Sequence, residues 1–392
     1  MKNNKNRKER TGMMKKLWKY PVLVLFFLFI FGYTVFDLCH YNRATSELEN
    51  RDLAQRPAFH LKEFYNNEFS PKYETYINDQ FVLRDQWITL KSVSESLLGK
   101  TENNGIMYGE DGFMFQHYME SDVDLPRIEK NIGFLNEFIQ MYPQLNISVG
   151  IIPNAYTVYP EYVPMGAGQA DQIAHTNEIY AALPESVTKM DFLPAFTQHK
   201  DEYIFYRTDH HWTTLGAYYG YEAFCQQKGI TEIGALTEMD GILVEDFYGT
   251  YFSKTKKHNA APDSITYYDV PVDSVTINGE KKSGLYDMAQ WDKRDKYAAF
   301  LWGNHGITTI YSSNNLRHKE GETSRILLIK DSYGNCFAPY LTYQYDEVWV
   351  IDLRSIPNKM SELLAVQSFD DVLILYNFMN FASDTNLAKL RY

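Results

Sequence analysis

RILLIKDSYGNCFAPYLTYQYDEVWVIDLRSIPNKMSELLAVQSFDDVLILYN, residues 325–377, decides the fold. It holds three short apolar runs, 325–330, 347–352 and 371–377, with helix-like stretches between them. Strands buried on both faces read as continuous apolar runs. Strands that alternate with helices predict a parallel, doubly wound α/β sheet. Working outward, NISVGIIP (146–153) stops at Pro153 and Asn154 and reads as another buried strand, and 187–191 as one more. YIFYR (203–207) reads as a strand running into TDHHWT. Helices are expected over 126–143, near 172–183 and over 213–228, where Thr213 is placed to cap. GIMYGEDGFMFQ (105–116) reads as a hairpin around Glu110, Asp111 and Gly112. Residues 238–300, with ITYYDVPVDSVTING, read as a β-rich insertion.

The chain has 392 residues, 45% of them apolar and 22% charged, which excludes disorder for its bulk. Its net charge of −12 is uneven. Residues 2–19 hold eight basic side chains against Glu9 alone, leaving 30 basic and 49 acidic residues beyond them, a net of −19. A body that acidic argues against a nucleic-acid partner, which needs clustered Lys and Arg. The three cysteines, Cys39, Cys225 and Cys336, make neither a disulfide framework nor a CxxC zinc pair. Aromatic residues, at 16%, fit either a core or a sugar-stacking surface.

YPVLVLFFLFIFGYTVFDL (20–38) carries one charge, Asp37. Its length and bulk predict an uncleaved transmembrane helix rather than a signal peptide. The basic tail 1–19 is expected in the cytoplasm by the positive-inside rule, with the body from about residue 40 outside. Residues 39–100 are expected to form a stalk and a helical layer that packs on a main domain spanning 101–392.

In open α/β sheets, sites lie at the carboxyl ends of the strands. Run 325–330 ends in Asp331, Ser332, Tyr333 and Gly334; run 203–207 leads to Asp209, His210, His211 and Trp212; run 146–152 ends at Asn154. A serine at a strand-to-helix turn presents Oγ above the sheet, with turn N–H groups behind it. The plain alternative is a turn or capping serine. In an extended segment residues two apart share a side. Asp209 and His211 would then pair as orienter and base while His210 faces away. Core histidines behind a capping aspartate, or a metal site, are the competing readings of the same residues.

TDHHWT (208–213) is also the signature of the DHHW family of exported Gram-positive proteins, which this chain resembles. Further matching segments are ENRDLAQRP (49–57), YINDQFVLRD (76–85), IPNAYTVYPEYVP (152–164), KYAAFLWGNHG (296–306), IKDSYGNCFAPYL (329–341) and VIDLR (350–354). The family is similar to the periplasmic alginate O-acetyltransferases and so to the SGNH hydrolase superfamily. The resemblance implies a flavodoxin-like, SGNH-hydrolase-like three-layer fold. It implies Ser332 as nucleophile, His211 as base and Asp209 as its partner. Two positions depart from the pattern: Ala155 stands where relatives often have Lys, and Ser355 where an aromatic commonly follows. Asn154, Asn304, Asn377, Tyr333 and Arg354 are the candidates for the oxyanion hole and substrate contacts. The Asp352 and Arg354 pair also reads as a structural ion pair.

The function implied is a membrane-anchored, extracytoplasmic O-acyltransferase, an acetyltransferase by preference, that modifies a surface or secreted polysaccharide through an acyl-serine. No cofactor and no metal is expected. Acetyl-CoA does not occur outside the cell, so the resemblance implies a membrane-bound O-acyltransferase partner that delivers acyl groups. An acetyl esterase with the same three residues, and a non-catalytic polysaccharide-binding protein, are the alternatives.

Overall fold

The computed structural model describes residues 19–356 and 359–392. The basic tail thus lies outside the described residues except for Lys19. The chain divides into two compact units at Lys91/Ser92.

In the first unit the apolar run forms helix α1 (Pro21–Leu38), opened by proline at its first turn. Among the described residues, no helix is long and apolar enough to cross a membrane. The helix lies at the short end of what a bilayer crossing needs. Eighteen residues make about 27 Å of helix against about 30 Å of hydrocarbon, and Asp37 sits inside the last turn. Its end is tied to a turn between two further helices, α2 (Phe69–Gln80) and α3 (Arg84–Leu97). Val82 N–H donates to Asp37 Oδ1 at 3.0 Å, and Trp87 Nε1 donates to the Tyr33 hydroxyl at 2.8 Å.

The second unit is built on one eight-stranded sheet. Its strands are β1 (Asn146–Ile152), β2 (Thr188–Met190), β3 (Ser274–Ile277), β4 (Glu280–Lys282), β5 (Ile307–Tyr311), β6 (Arg325–Lys330), β7 (Glu347–Ile351) and β8 (Asp371–Asn377). Their order is β4-β3-β5-β7-β6-β8-β1-β2. The five strands from β7 to β2 are parallel, as the apolar runs predict. Successive residues of β6 feed opposite cores: Ile326 and Leu328 face one, Leu327 and Ile329 the other. Helix α4 (Leu125–Met141) covers the second face with Leu135 and Phe138, and α6 (Thr214–Gln227) covers the first with Tyr221 and Phe224. Between them in the chain lies α5 (Gln172–Ala181). The expected hairpin forms from Ile106–Tyr108 and Met114–Gln116, with Asp111 at φ 50 in its turn.

Two expectations are corrected. Residues 238–300 are β-rich as expected, but two of their strands belong to the main sheet and not to an insertion. Strands β3 and β4 join the main sheet antiparallel through β5, while Gly241–Phe247 and Asp263–Tyr268 make their own ribbon. Nor is 203–207 a strand; its one ladder contact is an isolated bridge between Phe205 and Trp212. Buried Asp263 supplies what a ladder would: its carboxylate accepts Arg207 N–H (3.0 Å), Thr208 N–H (2.8 Å), Thr208 Oγ1 (2.6 Å) and the Tyr203 hydroxyl.

Candidate functional site

The serine turn follows directly from β6. Asp331 is buried and acts as its anchor: one carboxylate oxygen accepts Tyr333 N–H at 3.0 Å, the other Asn377 N–H (2.8 Å) and Asn380 Nδ2 (2.7 Å). Burial pushes the Asp331 carboxyl above its ordinary range, with these donors opposing it. Behind the turn comes one short helix, α7 (Gly334–Phe337), and at Ala338 the chain tightens to a 3-10 helix that accommodates Pro339. Gly334 is required here, because a Cβ would lie 2.6 Å from Lys330 Cβ. Half-buried Ser332 keeps its own N–H without a partner among the described residues. Its carbonyl accepts the Tyr297 hydroxyl at 3.1 Å.

The second component is the loop before α6. Thr213 caps that helix by accepting Gly216 N–H at 3.1 Å, which ends the loop at a defined place. Within it, Asp209 Oδ1 accepts His211 Nδ1 at 2.6 Å and His211 N–H at 3.0 Å, and Oδ2 accepts Thr250 N–H at 2.7 Å. His211 Nε2 then stands 2.7 Å from Ser332 Oγ. A carboxylate at Nδ1 fixes the tautomer with the proton there, so Nε2 offers its lone pair to the Ser332 hydroxyl. Burial works to raise the Asp209 pKa, but the neighbouring His210 and His211 and the donated hydrogen bonds outweigh it and hold the carboxyl well below its ordinary range.

His211 is sandwiched. Tyr297 stacks on it at 3.8 Å and 10°, and His210 lies 3.8 Å away at 36°. Two rings that close to a third cannot share one face. The expectation that His210 faces away from Asp209 is therefore wrong: its Nδ1 is 3.6 Å from Asp209 Oδ1. The reason is that the loop bends at 207–211 instead of running extended, so alternation does not apply. Burial first, then the His211 charge, push the His210 pKa down to about 4. Asp209, His210 and His211 bring one potential metal-ligand atom each within 4.8 Å of one another. Both ring nitrogens of His211 and both oxygens of Asp209 are already engaged in the hydrogen-bonded line, which fits a proton relay better than a metal cradle.

The remaining candidates divide. Tyr333 is framework: its carbonyl accepts Trp212 Nε1 at 3.0 Å and its hydroxyl donates to the His210 carbonyl, which joins the serine turn to the histidine loop. Asn377 caps α8 (Phe378–Ser383) through Met379 N–H and donates to the Ile152 carbonyl at 3.1 Å. Asn154 is locked to Gln172 by two hydrogen bonds, at 2.9 and 2.8 Å. Arg354 pairs with Asp352 at 2.5 Å and with Lys330 makes the structural ion cluster that the spacing allows. Asn304 is exposed, as Arg354 is, and lies beside the serine turn. Three contributors escaped the sequence reading. Asp263 and Thr250 carry no local signal. Tyr297 lies inside a segment that the family resemblance had picked out.

Among curated proteins none matches this chain. Among solved structures it is similar to a DHHW family protein from Eubacterium siraeum, at 24% identity and TM-score 0.63, covering 74% of this chain and 95% of that one. Bacillus cereus PatB1, solved with a sulfonyl adduct, aligns at 17% identity and TM-score 0.60, over 73% and 100% of the two chains. The O-acetyltransferase domain of Pseudomonas putida AlgJ aligns at 15% identity and TM-score 0.46, over 73% and 98%. The first two of these likenesses speak for a common fold. The family model described as DHHW protein matches residues 152–351, which include the Asp209–His211 loop and the Ser332 turn. That match takes in half of the chain, and on it the chain belongs to the DHHW protein family.

Proposed function

We propose that this protein is an O-acyltransferase, with acetyl the preferred group, that acts on a cell-surface or secreted polysaccharide through an acyl-serine at Ser332. The observation that carries the reading is the unbroken hydrogen-bonded line Asp209–His211–Ser332, with 2.6 and 2.7 Å steps. Ser332 Oγ attacks the donor's acyl carbonyl while its proton passes to His211 Nε2. The Ser332 N–H faces the oxyanion. Collapse expels the donor's leaving group, which takes the proton from His211. A sugar hydroxyl then gives its proton to His211 and attacks the acyl-serine, and the proton returns to Oγ as the ester leaves. Asp209 stays ionised throughout and stabilises the imidazolium that forms twice.

The reading also places α1 in a bilayer as an anchor, with the body outside and a membrane-bound O-acyltransferase as the source of acyl groups. Its support is a helix whose Leu, Phe and Val side chains stand exposed, from Ile30 at 42% to Val22 at 79%. A helix slightly shorter than the hydrocarbon is accommodated by local thinning.

An activated acetyl ester is expected to acylate Ser332, and Ser332→Ala to abolish that, with a rate loss of several orders of magnitude. Surface polysaccharide from cells carrying Ser332→Ala is expected to lose acetyl. Unchanged acetyl content sinks the transferase reading, and increased content makes the protein an esterase.

A further inference from the structure

The turn that joins α2 to α3 closes around Tyr33, five residues before the end of α1. The Tyr33 hydroxyl donates to the Val82 carbonyl and accepts Trp87 Nε1 at 2.8 Å. Its ring packs on Phe81 at 5.2 Å and on Trp87 at 6.4 Å. Asp37, one helical turn further on, accepts Val82 N–H at 3.0 Å. Both backbone groups of fully buried Val82 are thus taken up by α1.

That turn is strained. Leu83 has φ 56, a left-handed backbone that a bulky side chain rarely adopts. Arg84 N–H on the Phe81 carbonyl (3.1 Å) and Trp87 N–H on the Leu83 carbonyl (3.0 Å) hold it there. Such conformations persist where the surroundings over-determine them, and they cluster at functional positions. Here the outcome is an exposed leucine at the tip of a helical hairpin.

Apolar stripes run away from the tip along both helices. Tyr73, Ile77 and Phe81 recur every fourth residue along α2 and its cap, and Leu83, Trp87 and Leu90 follow the same periodicity along α3, so each set lies on one face. All six are exposed, from Tyr73 at 36% to Leu90 at 54%. Phe81 and Trp87 flank the same Tyr33 ring, so the stripes converge on the side of the hairpin that faces α1. Phe29, itself exposed, stacks on Tyr33 at 5.6 Å, and the apolar surface continues from α1 onto the hairpin. Cations beside the tip are already matched, Arg43 by Asp85 at 2.6 Å and Arg51 by Asp79 at 2.5 Å. What the hairpin offers outward is hydrophobic surface and not a basic patch.

We propose that the hairpin tip and its two stripes dip into the outer leaflet beside α1, so that the protein holds the membrane by a helix and an interfacial hairpin together. The proposal rests on the reading of α1 as an anchor. Depth follows from the helix rise: Tyr33 lies four residues before Asp37, about 6 Å along the axis, and the turn clamped on Tyr33 reaches that far below the one charge of α1. Interfacial helices bury their apolar face to the same depth, about 5–10 Å into the headgroup/acyl boundary. Tyr33, Tyr73 and Trp87 are of the types that settle at this level. The hairpin also gives Asp37 a donor where water is scarce, as an ionisable group at that depth needs.

The test uses the full chain, reconstituted alone in phosphatidylcholine vesicles. Cys39→Ser is the background, since Cys225 and Cys336 are buried, so a nitroxide label goes to an introduced cysteine. Leu83→Cys is the reporter. Thr75→Cys, half a turn from Tyr73 and Ile77 on α2, is the water control, and Ile30→Cys on α1 the bilayer control. Collisions with oxygen, which enters lipid, are compared with those of a nickel chelate, which stays in water. The Leu83 label is expected to show an oxygen-to-nickel ratio well above that of Thr75, at a depth of about 5–10 Å. If Leu83→Cys does not fold, Leu90→Cys reports on the same stripe. A Leu83 label as open to nickel as Thr75 overturns the proposal. A label shielded from both reagents overturns it too, because a second copy of the chain then covers the stripe. The Ile30 label separates the failures: open to nickel, it ends the anchor reading and this inference with it; in lipid while Leu83 is in water, it ends this inference alone.

Discussion

At the scale of single residues, the most exacting position around the site is a glycine outside the motif. A Cβ on Gly249 would sit 2.2 Å from Asp209 Cβ and 2.5 Å from Asp209 Oδ2. Its φ is ordinary, so the requirement is for close approach and not for a left-handed backbone. The approach brings Thr250 N–H onto Asp209 Oδ2. Gly249→Ala is therefore expected to displace the carboxylate and slow acylation of Ser332 at least about tenfold. The ceiling is the ~10⁴ loss known when such an aspartate no longer holds its histidine. Stopped-flow release of nitrophenolate measures it, and an unchanged burst rate would mean that Asp209 does not govern the base. The same neighbourhood shows why His210 was misplaced from sequence. Alternation is a property of extended chain, and residues 207–211 bend.

At the scale of elements, β6 and the loop before α6 reach the site by different physics. β6 is legible because its residues serve two cores at once, so its whole length is apolar and the polar residue after it marks a strand end. The 203–212 loop has no such signature. Two of its backbone N–H groups, those of Arg207 and Thr208, are satisfied by one carboxylate from the ribbon Gly241–Phe247/Asp263–Tyr268, some 55 residues away along the chain. Burial raises the Asp263 pKa, while bonds from Thr208 and Tyr203 oppose the rise. Asp263→Ala strands two N–H groups and two hydroxyls, of which Thr208 is buried. It is expected to cost at least about 2 kcal/mol of stability, as buried unpaired donors do, and to weaken Ser332 acylation as well. Urea unfolding reads the first effect and ester hydrolysis the second. Lost stability with full activity would show that the loop does not depend on this anchor.

At the scale of the whole molecule, the acyl-transfer reading needs the body outside the cell and α1 in the membrane. Protease added to wall-stripped cells is expected to digest the chain beyond about residue 40 and spare the N-terminus; a protected body would place the domain where acetyl-CoA is available and remove the need for a delivering partner. The parallel sheet and its strand ends were readable from residue order, because each depends on neighbours in the chain, as apolar runs mark buried strands; the Asp209–His211 pair forms as well, but through a bend and not through the alternation of an extended segment. Tertiary structure alone decided that His211 Nε2 meets Ser332, 121 residues later in the chain, that β3 and β4 extend the sheet antiparallel, and that Asp263, Thr250, Tyr297 and Lys330 hold the site in place. Those contacts join segments whose local patterns are independent of one another, and only packing the two cores against one sheet brings them within hydrogen-bond reach.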